Sequence, residues 1–304
     1  MRPRAIGSIS RANGEGGAPA PRFTDASGAL ANARRRPAPP FLQSNFVREQ
    51  KNGGDPLKVA FFPGCLTDMM YPEVGLAAVR VLERLDCELI VPDEQVCCGQ
   101  MLYNSGYGPA GARTIKNAID AYLEYETVVS LTGSCAYALK VEARKFLAGD
   151  KEYLAKMDRL RPRMFEFSEF IVDKLGVTDV GASFPHTVVY HKSCHLTRLL
   201  GIERQPLALL SAVKGIEILP MRADDRCCGF GGTFSVKEPE ISEAMVSEKV
   251  QTALESGAEY LVGADQPCLM NIGGRIDRMR EKGELSHDLQ VIHLAQILDS
   301  RKGA

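Results

Sequence analysis

Lys58-Val59-Ala60-Phe61-Phe62-Pro63-Gly64-Cys65 and Thr187-Val188-Val189-Tyr190-His191-Lys192-Ser193-Cys194 follow one pattern, an apolar run that ends at a cysteine. Each run reads as a buried strand. Farther on, each is followed by a Cys-Cys-Gly triplet, Cys97-Cys98-Gly99 and Cys227-Cys228-Gly229, and then by a single cysteine, Cys135 or Cys268. The gap from first cysteine to pair is 32 positions in one copy and 33 in the other, and the gap from pair to last cysteine is 37 and 40. Eight of the nine cysteines obey this plan, and Cys87 does not. The chain is therefore an internal duplication.

The text between the cysteines repeats as well. Val74, Ala78, Val81, Leu82 and Leu85 recur at helical spacing, as do Leu207, Leu210 and Val213 in the second copy. Second strands follow at Leu89-Ile90-Val91 and Ile216-Glu217-Ile218-Leu219, just before each triplet. Second helices are predicted near 109–124 and 238–255, the latter with Val246, Val250, Ala253 and Leu254 as its apolar stripe. Third strands, Val128-Val129-Ser130-Leu131 and Tyr260-Leu261-Val262, precede the last cysteines.

Alternating strands and helices predict an α/β fold of two homologous repeats facing each other, each a small parallel sheet with crossover helices. All eight cysteines then fall at the C-terminal ends of strands, where open α/β sheets bind their ligands. The expected organisation is an N-terminal tail over 1–56, a first domain over 57–150, a helical connector over 151–184 and a second domain over 185–304. Met164, Phe165, Phe167, Phe170, Ile171 and Leu175 supply the connector's expected apolar face, and Gln290–Leu294 an extra strand before a short terminal helix.

Composition narrows the function. With 37 basic and 38 acidic residues, the net charge of −1 creates no field for nucleic acid or anionic membrane. No apolar run approaches the length of a membrane span. Nine cysteines are too sparse for a secreted disulfide scaffold, and their odd number forbids complete pairing. A cytoplasmic protein whose thiols meet a metal is the expectation. The tail over 1–56 holds nine basic and four acidic residues with seven Gly and seven Pro, a composition expected to be disordered. Its Arg-rich character leaves an organellar transit segment or a misplaced start as alternatives.

Thiolate is a soft donor that selects zinc, Cu(I) or iron–sulfur centres. Structural zinc sites usually draw ligands two to four residues apart, whereas the close pairs here are adjacent. Adjacent residues in extended chain point to opposite sides, so they chelate one small ion poorly but can reach different irons of a wider cluster. Gly99 and Gly229 permit a tight turn there, with amide hydrogens free to bond cluster sulfides. Inert packing, zinc and a metal-free dithiol remain the competing readings. Inert packing is the reading for Cys87.

The duplicated pattern resembles the cysteine-rich CCG domain found in heterodisulfide reductase, in iron–sulfur subunits of glycolate oxidase and anaerobic glycerol-3-phosphate dehydrogenase, and in lactate utilization proteins. The likeness runs from about residue 57 to the C-terminus and is nearest to the lactate utilization branch. It is carried by Cys97-Cys98-Gly99-Gln100, Asn104-Ser105-Gly106-Tyr107, Gly133-Ser134-Cys135 and the run Cys227 to Lys237. The resemblance implies an iron–sulfur subunit of an L-lactate oxidising system, one [4Fe–4S] cluster per repeat, and lactate utilization proteins B and C as partners. The implied cluster ligands are Cys65, Cys97, Cys98 and Cys135 in one repeat and Cys194, Cys227, Cys228 and Cys268 in the other. The implied chemistry is that of an NAD-independent oxidoreductase subunit passing electrons from the conversion of L-lactate to pyruvate. The alternatives are a heterodisulfide-type thiol oxidoreductase subunit and a non-redox assembly module.

The family motif ends in Cys-x-x-Cys, and here Thr132 and Asp265 stand where the first cysteine of that ending would be. Four thiolates per repeat still suffice for a four-iron cluster. Asp265 is either an oxygen ligand or a strand-end residue facing water, and the hardness of carboxylate favours the second. The chain lacks a ferredoxin-type cysteine run and a dinucleotide-binding glycine fingerprint. His191 and His195 are candidate proton acceptors for a lactate hydroxyl, with outer-sphere or surface roles favoured. Arg198 and Arg226 are expected on the surface, and Gly273-Gly274 marks a helix break or close packing.

Overall fold

The computed structural model describes residues 55–301. The tail reading for 1–56 therefore falls, but for Asp55 and Pro56, outside the described residues. Two four-stranded sheets share one topology, β2-β1-β3-β4 and β6-β5-β7-β8, and every pairing is parallel. The strands are β1 (Leu57–Phe62), β2 (Cys87–Ile90), β3 (Val128–Ser130) and β4 (Met164–Glu166) in the first sheet, and β5 (Thr187–Tyr190), β6 (Glu217–Ile218), β7 (Tyr260–Gly263) and β8 (Gln290–His293) in the second. Parallel strands covered by helices on both faces must be apolar on both faces. Val59 through Phe62 and Val188 through Tyr190 satisfy that, with both faces buried.

The strand order decides where a ligand can sit. From β1 the chain crosses to β2 on one side and then to β3 on the other. The loops leaving β1 and β3 therefore diverge to opposite faces and open a crevice between them. The second sheet repeats this between β5 and β7. All eight patterned cysteines lie beyond strand ends on this side, after β1, β2 and β3 in the first sheet and after β5, β6 and β7 in the second.

Helices Pro72–Arg84 and Gly108–Tyr122 cross over in the first repeat, and Arg204–Ser211 and Pro239–Glu255 in the second. The two repeats share a core in which Val59, Phe61 and Val81 meet Val188, Tyr190 and Leu298. Arg80 and Arg84 on the Pro72–Arg84 helix grip Asp299 at 2.6 Å each, and Arg84 also donates to the Leu298 carbonyl. Asp299→Ala leaves both guanidiniums without that partner and is expected to cost about 2 kcal/mol, measured by urea unfolding. A cost below about 0.5 kcal/mol would place this tie among ordinary surface pairs.

The stretch expected to be a purely helical connector instead contains β4, paired parallel to β3. Helix Lys151–Leu160 ends at a turn over 161–163, β4 follows, and helical turns resume from Phe167. Glu166, at the end of β4, caps those turns by accepting from the Ser168 and Glu169 amides at 2.8 and 3.2 Å. It is wholly buried, and desolvation pushes its carboxyl up from 4.5 to about 8. A raised acid binds its proton more tightly when folded, so its stabilising contribution is complete below pH 4.5 and is lost as pH rises toward 8. Wild-type stability should fall by about 3–5 kcal/mol across that window from this group alone. Glu166→Gln should flatten that part of the profile, and an unchanged slope in pH-dependent unfolding would count against it.

Gly273 and Gly274 lie inside an unbroken helix, Gln266–Glu281. A Cβ at Gly273 would stand 3.0 Å from the Val291 side chain, so glycine there serves close packing against β8. Cys87 lies in β2, buried in the shared core. Among the described residues, no helix is long and apolar enough to cross a membrane.

Candidate metal centres

The eight cysteines gather into two nests of four. In the first, Cys65 opens the helical turn after β1, Cys97 and Cys98 lie in the loop beyond β2, and Cys135 sits in the turn after β3. Cys65 and Cys97 approach to 3.6 Å between sulfurs, and the free thiol of Cys98 interacts with both Cys97 and Cys135. The second nest repeats the chain of contacts from Cys194 to Cys227, Cys228 and Cys268. All eight thiols are free. Within each pair one thiol is deep and the other is partly open: Cys98 and Cys228 are 3% and 2% exposed, while Cys97 and Cys227 are half-buried.

The tight turn comes from the glycine after each pair. Gly99 and Gly229 have φ of +83° and +80°, and each amide donates to the sulfur two residues back at 3.4 Å. A Cβ on Gly229 would lie 2.9 Å from the Ser242 carbonyl, so neither the backbone angle nor the space admits a larger residue.

These contacts sort the thiols by acidity. Hydrogen bonds from Cys65 and Cys98, with help from the Gly99 amide, pull Cys97 well below the ordinary thiol range. Cys227 is pulled down likewise by Cys194, Cys228 and the Gly229 amide. The donors move the other way. Hydrogen bonding to Cys97 followed by burial raises Cys65, and bonding to Cys227 followed by burial raises Cys194. Each nest thus holds one sulfur prepared as a thiolate and surrounded by S–H donors that a metal would deprotonate.

The nests meet across the junction of the repeats. Ser134, beside Cys135, and Ser193, beside Cys194, both donate to Asp265, at 2.7 Å to one carboxylate oxygen each. Asp265 is 1% exposed, so the expectation that it faces water is corrected: it is a buried clasp between the two halves. Gln100 Nε2 lies 3.1 Å from His195 Nε2, and His195 Nδ1 lies 3.6 Å from Cys194 Sγ. Asn104 donates to the Gly231 carbonyl, and the hydroxyls of Ser105 and Thr233 are 2.5 Å apart. A Cβ on Gly133 would stand 2.8 Å from the Leu196 side chain, so glycine is what lets these turns approach.

A small cleft opens on the first nest, lined by Cys65, Cys97, Cys98 and Cys135 and closed from the second repeat by Phe230 and Pro267. Thr67 Oγ1 and Thr132 Oγ1 at its wall are buried without a hydrogen-bond partner. At the second nest, donor atoms of His191, Cys228 and Cys268 lie within 4.8 Å of one another. Soft thiols in sets of four, with orphaned polar atoms around them, fit a metal–sulfur centre better than inert packing.

The remaining candidates fall in place. Arg198 and Arg226 are exposed, as expected, and Arg226 pairs with Glu248. His191 is wholly buried rather than at the surface, and desolvation pushes its imidazole down to about 3. Sequence reasoning passed over Lys249, which is 2% exposed and donates to the carbonyls of Ala223 and Asp224 at 2.6 and 3.1 Å, fixing the loop that leads into Cys227. Its signal was a lysine between Val246 and Val250 on the apolar stripe. Ser134 and Ser193 were also passed over, although each immediately precedes a patterned cysteine.

Two parallel sheets with a four-thiol nest at each switch point define a duplicated cysteine-rich domain protein. The family model described as a cysteine-rich domain (CCG) matches residues 59–140 and 188–273, and the chain belongs to that family. Within it, the chain is 47% identical over 245 residues to Lactate utilization protein A 1 of Bacillus cereus (strain AH820) and to Lactate utilization protein A of Bacillus thuringiensis (strain Al Hakam), alignments that cover 81% of this chain and 100% of each relative. Among solved structures, a glutamate racemase from Bacillus anthracis covers 80% of this chain and 79% of its own at 11% identity, with a TM-score of only 0.31.

Proposed function

We propose that this chain is an iron–sulfur subunit of an L-lactate oxidation system, carrying electrons from the conversion of L-lactate to pyruvate toward a partner iron–sulfur protein. The observation that carries the reading is the twinned nest: eight thiols, linked in fours, at the two switch points of a chain whose relatives are lactate utilization A proteins. Cys65, Cys97, Cys98 and Cys135 would hold one [4Fe–4S] cluster, and Cys194, Cys227, Cys228 and Cys268 the other. Such clusters, when bound, accept and release single electrons. The protein's part is to supply thiolates, to direct the Gly99 and Gly229 amides at the most acidic sulfurs, and to shield the deeper thiols from water. Lactate utilization proteins B and C are the proposed partners, and the proposed location is the cytoplasm.

Anaerobic purification followed by iron, sulfide and EPR measurements tests the reading. The expected result is iron and acid-labile sulfide in equal amounts, with a paramagnetic reduced state. Colourless protein containing only zinc would overturn it. Lactate-dependent dye reduction by the assembled complex tests the substrate, and turnover of a disulfide alone would favour the heterodisulfide type.

A further inference from the structure

The two repeats correspond residue for residue around their nests, and that makes one difference informative. Phe61 pairs with Val129 in the first sheet, and Tyr190 pairs with Val262 in the second. One residue farther along, Phe62 and His191 occupy the same place, three residues before Cys65 and Cys194 respectively. The crossover helices match as well. Gly111, Ile115, Ala118, Ile119 and Tyr122 are buried on one, and Ser242, Val246, Lys249, Val250 and Ala253 at identical spacing on the other. Phe62 packs against Tyr122 with ring centroids 5.2 Å apart. In the second repeat both rings are gone: imidazole stands for Phe62, alanine for Tyr122, and lysine for Ala118.

An apolar wall has thus been exchanged for a pocket holding a polar ring. Neither ring nitrogen of His191, both buried, has a partner in good hydrogen-bond geometry, and the one backbone group that acts on the ring, the Asp224 carbonyl, does so only weakly. The neighbouring Asp224 carbonyl already accepts from the Lys192 amide and from Lys249 Nζ, each at 3.1 Å. Leaving an imidazole unsatisfied in the interior is costly, and its nearest soft company is the Cys228 and Cys268 sulfurs within 4.8 Å. We propose that His191 is a fifth donor of the second nest, an imidazole ligand to the metal centre held by Cys194, Cys227, Cys228 and Cys268, so that the two repeats carry centres of different ligation. This inference rests on reading the nests as iron–sulfur sites. A neutral imidazole adds a donor without adding negative charge, whereas a cysteine at the same place would add a thiolate and lower the potential.

Pulsed EPR on the reduced, anaerobically prepared full chain labelled with ¹⁵N-histidine tests this. The expected spectrum shows the strong hyperfine coupling of a directly iron-bound imidazole. That coupling is lost in His191→Asn and kept in His195→Asn. His191→Cys, which restores a soft donor should asparagine impair folding, is expected to hold wild-type iron, lack the coupling and lower the potential of one centre only. Iron-loaded wild-type protein with no coupling, or with only the weak coupling of a hydrogen-bonded ring, overturns the ligation while leaving the iron–sulfur reading intact. Wild-type protein without iron overturns both.

Discussion

Cys98→Ala and Cys228→Ala are each expected to reduce bound iron and sulfide to about half, and the double variant to almost none. The reason lies in the order of contacts. Cys98 is the buried thiol joining Cys97 to Cys135, and Cys228 joins Cys227 to Cys268. Removing either takes out the donor between the open and closed ends of its nest. No further patterned cysteine lies on the same loops to replace it. The fold should tolerate the change. A sulfur atom is removed from a small buried side chain, a cavity cost of about 1 kcal/mol. Circular dichroism should therefore stay at the wild-type level while metal falls, and lactate-linked reduction by the assembled complex should drop at least ~100-fold. A single variant retaining its full iron complement would remove that thiol from the ligand set. Loss of all iron from one substitution would show instead that the two nests load together.

Much of this arrangement was legible because parallel strands must be apolar throughout, and because the cysteine plan occurs twice. The strand exits after β1, β3, β5 and β7 follow from runs such as Val59–Phe62 and Tyr260–Val262. What escaped has physical causes. Strand β4 is three residues long, shorter than any window in which alternation differs from helical spacing. Met164 and Phe165 therefore merged with Phe167, Phe170 and Ile171 into one apparent helical face. Glu166 inside that run was the available warning, since a carboxylate on an apolar face must cap or pair with something. Lys249 and His191 are of the same kind: each is a polar residue at a position whose neighbours, or whose counterpart in the other repeat, are apolar. Comparing the two repeats with each other would have found both. The Asp265 clasp is different, because its partners lie 131 and 72 residues away and no local pattern announces them.

That clasp carries the other large effect. Asp265→Ala is expected to destabilise the protein by about 3–5 kcal/mol and to lower metal occupancy in both nests at once. Two hydroxyls now bonded at 2.7 Å would be left facing a cavity with no water to satisfy them. Ser134 and Ser193 each adjoin a patterned cysteine, Cys135 and Cys194, so slack in the clasp passes directly to one thiol of each nest. Cys268 adds a further coupling, since its amide donates to the Asp265 carbonyl at 3.0 Å and its sulfur lies 3.9 Å from the Ser193 hydroxyl. Asp265→Asn keeps one acceptor oxygen, and its amide can donate to the second serine oxygen. The expected cost is about 1 kcal/mol, with both centres retained. The contrast between the two variants separates a structural clasp from a metal ligand. A ligand would lose metal from the second nest alone, and asparagine would not restore it. Denaturant unfolding together with iron analysis of the two variants decides between these outcomes. Equal metal loss from Asn and Ala, confined to the second nest, would make Asp265 a ligand after all.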